Sequence, residues 1–299
     1  MDPKEKEKLE LLKSEIPWWI LLDQIEGGCF LQSRQIESVR PFITDLWQNE
    51  VAKNPFNPPA GWKYLPVEEA VKAYRKIFGS SLKADSVFKL AKQANLRRGS
   101  EGIPIWPKLS TLAKNFGVSG NPLEDTEEGW KAYARIVELF IPEVGKVYIK
   151  AFPKFSFRNW REGRLSTDYV TLTPAGRKSW QLLEKMVGDD DFVIAVDGAN
   201  TGSLYAGYSV RRSRIKIVLS IDQFPQDCIM AGSTLIIQPD RLTKFEHLGI
   251  DCPGTKYSRD ADGGFSCSVC FGWRGGLLHF GSGWADSASR LFGSASGSI

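Results

Sequence analysis

Residues 146–164, KVYIKAFPKFSFRNWREGR, set Lys146, Lys150, Lys154, Arg158, Arg161 and Arg164 among Tyr148, Phe152, Phe155, Phe157 and Trp160, with only Glu162 opposing them. Residues 168–187, DYVTLTPAGRKSWQLLEKMV, then read as a strand passing directly into a helix capped by Thr173, with Pro174 in the first turn. The two together predict a basic, aromatic antiparallel hairpin, with NWREGR as its turn and a helix behind it. Cations supply phosphate affinity and flat rings supply packing or base stacking, so nucleic-acid-binding surfaces use this composition. A hairpin with a buried aromatic face and a merely solvated basic face would carry the same residues.

The charge distribution sharpens the contrast. The 299 residues carry a net charge of +4. Residues 1–61 hold 7 Lys+Arg against 10 Asp+Glu, residues 62–187 hold 22 against 13, and residues 188–299 hold 10 against 12. The positive excess sits wholly in the middle segment, which argues for a polyanionic partner there. With 42% hydrophobic and 25% charged residues the chain has the composition of a soluble globular protein, long enough to bury cores without staples. Five cysteines make no disulfide framework and imply a reducing compartment. The apolar run from Ile16 to Leu22 is far shorter than the roughly 20 residues of a membrane span. A cytoplasmic location with no membrane contact is expected.

Outward from this stretch, three segments are expected. Residues 1–61 read as a helical arm, rich in Trp18, Trp19, Leu21 and Leu22, followed by the Pro-rich linker NPFNPPAG. The arm is the candidate for a protein partner or self-association, though docking on the chain's own core explains it as well. Residues 62–187 open with four short helices, the last capped by Thr126 and stopped by Pro142. Gly188 and the acid run Asp189 to Asp191 mark the second boundary. Beyond it FVIAV, YAGYSV, RIKIVLSI and STLIIQ read as strands of a β-rich, antiparallel domain with a small-residue tail. The fold class is therefore α+β.

The third helix, LSTLAKNFGVS, resembles the first helix and turn of a helix-turn-helix. The order of helices, hairpin and a helix opened by Leu172, Thr173, Pro174, Ala175, Gly176 and Arg177 resembles winged-helix transcription regulators of the MarR and PadR kind. The resemblance implies a winged helix over roughly residues 80–187 with Arg158, Arg161 and Arg164 at the wing tip, and double-stranded DNA as the ligand. Lys146, Lys150, Lys154, Arg177 and Lys178 complete the candidate nucleic-acid-binding set. The acidic start of the fourth helix, with Glu124, Asp125, Glu127 and Glu128, departs from that pattern and favours holding the backbone over reading bases.

Two chemistries are candidates in the last segment. FVIAVDGAN resembles the first strand of PIN/NYN-type nucleases and, less closely, of ribonuclease H folds; this would make Asp197 a ligand of a divalent metal, with Asp222 as its partner. Asp-Gly and Asn-Thr-Gly are also ordinary turn formers. Cys252, Cys267, Cys270 and His279 could form a four-ligand zinc site, although strand alternation puts Cys267 and Cys270 on opposite faces. The expected function is non-enzymatic nucleic-acid binding without a cofactor; a metal-dependent nuclease centred on Asp197 and Asp222, or a protein-protein assembly protein, are the alternatives.

Overall fold

The computed structural model describes residues 51–299 apart from 221 and 262. The N-terminal arm expected over residues 1–50 lies outside the described residues. Seven helices are described: α1 Val67–Phe78, α2 Asp85–Ala91, α3 Leu109–Phe116, α4 Glu127–Ala151, α5 Pro174–Val187, α6 Val210–Leu219 and α7 Cys228–Ile237. Twelve strands accompany them: β1 Ile105–Pro107, β2 Ser156–Asn159, β3 Val170–Leu172, β4 Phe192–Ile194, β5 Ala199–Asn200, β6 Gln223–Pro225, β7 Gly249–Asp251, β8 Thr255–Tyr257, β9 Cys267–Arg274, β10 Leu277–Trp284, β11 Phe292–Ser294 and β12 Ser296–Ser298. The α+β expectation holds at this level.

The main sheet runs β11-β7-β9-β10-β2, with β8 joining β9 to β3. Its spine is the β9–β10 hairpin, paired from Leu277 opposite Arg274 to Trp284 opposite Cys267. A small sheet orders β5-β12-β6, and β1 pairs with β4.

Several expected strands are helices. The run KVYIKA is the last turn and a half of α4, which passes through Pro142 instead of stopping there. A proline inside a helix forfeits one backbone bond and costs about 3 kcal/mol. Here Val137, Phe140 and Ile141 before it and Val144 and Tyr148 after it share one buried face, so packing holds the helix across the break. RIKIVLSI belongs largely to α6, capped by the Ser209 hydroxyl, which accepts from the Arg212 amide. Its alternation carried no face information, because Arg212 and Arg214 are buried along with Ile215 and Ile217. Arg214 spends its guanidinium on the carbonyls of Pro253 and Thr255. STLIIQ lies almost wholly in α7, which is buried on every side and therefore shows no amphipathic period. Asp227 starts that helix by accepting from the Met230 amide at 2.9 Å. YAGYSV forms the end of a 3-10 turn and the entry to α6.

The expected hairpin is absent as well. β2 pairs in parallel with β10, Arg158 opposite His279, while β3 pairs antiparallel with β8. The segment that would have been a turn separates two strands that both join the sheet built by residues 249–284.

Nor does the chain part at Gly188. β1 pairs with β4 across that position, β2 and β3 enter the later sheet, and one hydrophobic core runs from Trp62 to Ala295. The acid run read as a boundary ties elements together: Asp190 accepts from the Val87 amide in the first turn of α2, and Asp191 from the Lys83 amide and the Thr111 hydroxyl. Carboxylates aimed at helix N-terminal amides satisfy donors that lack an intrahelical partner. The Pro-rich stretch is docked too, with Asn57 bridged to His247 and Phe56 bonded to the Arg290 carbonyl.

Gly176, in the Leu-Thr-Pro-Ala-Gly-Arg junction, allows α5 to sit against the β7–β8 turn. A Cβ there would lie 2.6 Å from the Gly254 carbonyl oxygen and 3.1 Å from its Cα. Ala has the better helix propensity by about 1 kcal/mol, but the clash is with backbone and outweighs it. Gly176→Ala is expected to lower stability by about 1–3 kcal/mol in denaturant unfolding; an unchanged or raised midpoint would contradict this packing.

Candidate functional site

One face of the main sheet meets α4 and α7; the other is paved with small residues. Register puts Gly249 and Asp251 of β7, Cys270 and Gly272 of β9, and His279, Gly281 and Gly283 of β10 on that second face. A cleft of about 320 Å³ opens over them, walled by Trp160, Phe245, His247, Trp284, Leu291 and Phe292. The glycines permit this. At Gly272 a Cβ would lie 2.7 Å from the His279 ring, and at Gly249 it would lie 2.5 Å from Phe292.

The polar groups of the cleft are poised near neutrality of charge. The His279 ring stacks on Trp160 with centroids 4.0 Å apart and an interplanar angle of 21°. Burial, and secondarily the Arg274 charge, depresses its pKa to about 4, so the imidazole is neutral at ordinary pH. Its Nδ1 is buried and has no hydrogen-bond partner among the described residues. Burial pushes the Asp251 carboxyl up to about 7, against a weaker opposing pull from Arg214. Burial also raises the Cys270 thiol, which therefore stays protonated. His247 is lowered by burial and then by the Arg241 and Lys244 charges, and its Nδ1 accepts from the Thr243 amide at 3.2 Å.

The basic set divides. Lys150, Lys154, Arg158 and Arg164 are exposed. Arg158 lies in the edge strand β2 directly across from His279, next to Trp160, which is 42% exposed. Lys146 is exposed but paired with Glu143 at 2.6 Å. Arg161 is half-buried and lies 5.5 Å from the Tyr257 ring centroid. Arg177 does not belong to such a surface: it is buried, bonded to the Asp125 carboxylate and the Glu124 carbonyl. One residue of the acidic stretch before and into α4, Asp125, thus pairs with Arg177. Lys178 is half-buried and lines a separate recess with Asp125, Glu127 and Asp168.

Asp197 and Asp222 flank the end of β12, through the bonds from Asp197 N to the Ser298 carbonyl and from Ile299 N to the Asp222 carbonyl. Asp222 is taken up by Arg97 at 2.6 Å. Of the four cysteine and histidine positions considered for zinc, Cys270 and His279 share the cleft face while Cys267 lies on the opposite face. Among the described residues no group of three or more His, Cys, Asp or Glu side chains could hold a metal ion. No helix among the described residues is long and apolar enough to cross a membrane.

No family model, no curated protein and no solved structure matches the chain.

Sequence reading found Trp160 and Arg158 but missed Asp251, Phe292 and the glycine floor. The available signal was Gly281 and Gly283 at a spacing of two, since glycine inside a strand marks a close approach by another group. The raised Asp251 pKa fixes a pH signature. Between about pH 4 and pH 7 the unfolded state has lost this proton and the folded state retains it, so Asp251 makes stability fall as pH rises through that window. Asp251→Asn removes this slope: relative to wild type the variant is expected to gain stability from pH 4 to pH 7 and to hold the gain above it. Unfolding at several pH values, with a difference that stays constant, would contradict a buried neutral carboxyl.

Proposed function

We propose that the protein binds nucleic acid, without catalysing its cleavage, along the β2 edge of the main sheet, and that the preferred form is single-stranded. The observation that carries this reading is Trp160: a tryptophan 42% exposed, held rigid by stacking on His279, in the stretch that also presents exposed Lys150, Lys154, Arg158 and Arg164. An indole fixed in place stacks a base with little loss of side-chain freedom, and cations along an adjacent edge hold the phosphates. Duplex DNA gripped by a wing was the expectation from sequence, but β2 and β3 do not form a hairpin together. A stacking platform serves unpaired bases better than a helix whose bases are stacked on each other.

Winged-helix-type base reading receives no comparable support, since α4 directs its apolar face into the core and Asp125, just ahead of it, is bound to Arg177. The nuclease reading rests on Asp197 and Asp222, of which Asp222 is ion-paired with Arg97.

The test is fluorescence anisotropy with labelled single- and double-stranded oligonucleotides of DNA and RNA at two salt concentrations. Binding is expected to weaken steeply with salt, and the combined Lys154, Arg158 and Arg164 to Ala variant should flatten the log–log salt slope by about 2. Trp160→Ala should cost about 1–3 kcal/mol on single strands. Salt-independent binding, or none to any of the four ligands, would overturn the proposal.

A further inference from the structure

We propose that the cleft over Gly272, Gly281 and Gly283 receives one nucleobase, bordered by Trp160 and hydrogen-bonded at its edge by Asp251. This rests on the reading of the β2 edge as a strand-binding surface, and adds that the surface reads a base as well as holding a backbone.

Size argues for a single ring system: about 320 Å³ is at the small end of the roughly 300–1,000 Å³ of small-ligand sites. Shape argues for a flat one, because the floor is glycine and the walls are aromatic. Polarity argues for an uncharged one. His279 is 7% exposed and lines the cleft, with Nδ1 unpartnered among the described residues, and Asp251 lines it without an ion pair among the described residues. A charged group brought onto this floor would lose water, and the charges of Arg214 and Arg274 that reach the floor only partly offset that loss. A base edge, offering a ring nitrogen beside an N–H, suits a carboxyl that both donates and accepts. Charge returns at the rim, where Arg274 is exposed and Arg158 stands across from His279. An uncharged slot with a cationic mouth matches a nucleotide, whose base is neutral and whose phosphate is not.

Gly283 supplies a clean test. It lines the cleft, it is exposed, and a Cβ there meets nothing within 4 Å, so Gly283→Leu fills the slot without pressing on the core. Circular dichroism and a thermal melt verify the fold; if that variant unfolds, Asp251→Leu replaces it. The ligands are a short single-stranded oligonucleotide, the same strand with every base removed, AMP, and ribose 5-phosphate. The wild type is expected to prefer the intact strand to the abasic strand, and AMP to ribose 5-phosphate, by about tenfold. Gly283→Leu should abolish both preferences while leaving the abasic strand's affinity unchanged. A preference that survives in Gly283→Leu overturns the base pocket and leaves strand binding standing; equal binding of intact and abasic strands overturns both the pocket and base stacking on Trp160. AMP bound over ribose 5-phosphate with no strand bound supports the pocket and overturns the strand-binding reading. Binding of none of the four ligands overturns both.

Discussion

A helix without a polar face must be covered on all sides, and α7 is such a helix. Residues Cys228 to Ile236 are buried throughout. Gly232 sets how closely they are covered: a Cβ there would lie 2.7 Å from Phe140, 3.2 Å from Val144 and 3.3 Å from Phe271. The first two belong to α4 and the third to β9, so one glycine fixes the meeting of two helices and the sheet. From that meeting the rest follows. α4 has to be long and continuous to cover α7, which is why it runs through Pro142. β9 and β10 have to give their aromatic face, Phe271 and Phe280, to the helices, and this commits the alternate residues to the other side.

Those alternate residues could have been large, and the sheet would then have carried a second core. Instead they are Gly272, Gly281 and Gly283 with Cys270 and His279 between them. Small residues on the second face cannot fill the space beneath Phe292 and Trp160, and a cleft results. Burial then outweighs the arginine charges nearby: it lifts Asp251 and Cys270 and lowers His279, shifting all three toward their neutral forms. The electrostatic character of the cleft is thus a consequence of packing on the opposite face.

How far this was legible in the sequence depends on whether a pattern had one face to report. The helices α1 and α3, with Val67, Ala70, Val71 and Tyr74 or Leu109, Leu112 and Ala113 on one side, announce themselves because the other side meets water. β9 was legible from its alternation, with Cys267, Val269 and Phe271 on one face. α6 and α7 were not, because period carries information only when one side is solvated, and both are enclosed. The boundary at Asp189 to Asp191 failed for a related reason. Its charges suggested solvent, whereas Asp190 and Asp191 are spent on amides of residues more than a hundred positions earlier in two of three bonds. The hairpin failed because strand propensity says nothing of the partner. Of the basic residues of the 146–164 stretch, Lys150, Lys154, Arg158 and Arg164 are exposed, and Arg177 was not separable from them without knowing that Asp125 lies beside it.

The same stretch shows how a cationic segment can be both structural and available. Phe157 packs so tightly on α4 that a Cβ at Gly145 would lie 2.1 Å from its ring, and Phe155 meets Trp273 with centroids 5.6 Å apart. The aromatic residues that suggested base stacking are therefore mostly consumed in anchoring β2 to the sheet. Trp160 differs because its ring rests on His279, a polar ring, and keeps its outer side in solvent. Anchoring the others is what holds Trp160 and Arg158 in fixed positions at the edge, and a rigid platform loses less entropy on binding than a mobile one. The alternation of consumed and exposed residues along one short edge strand is the physical basis for treating this edge as a surface.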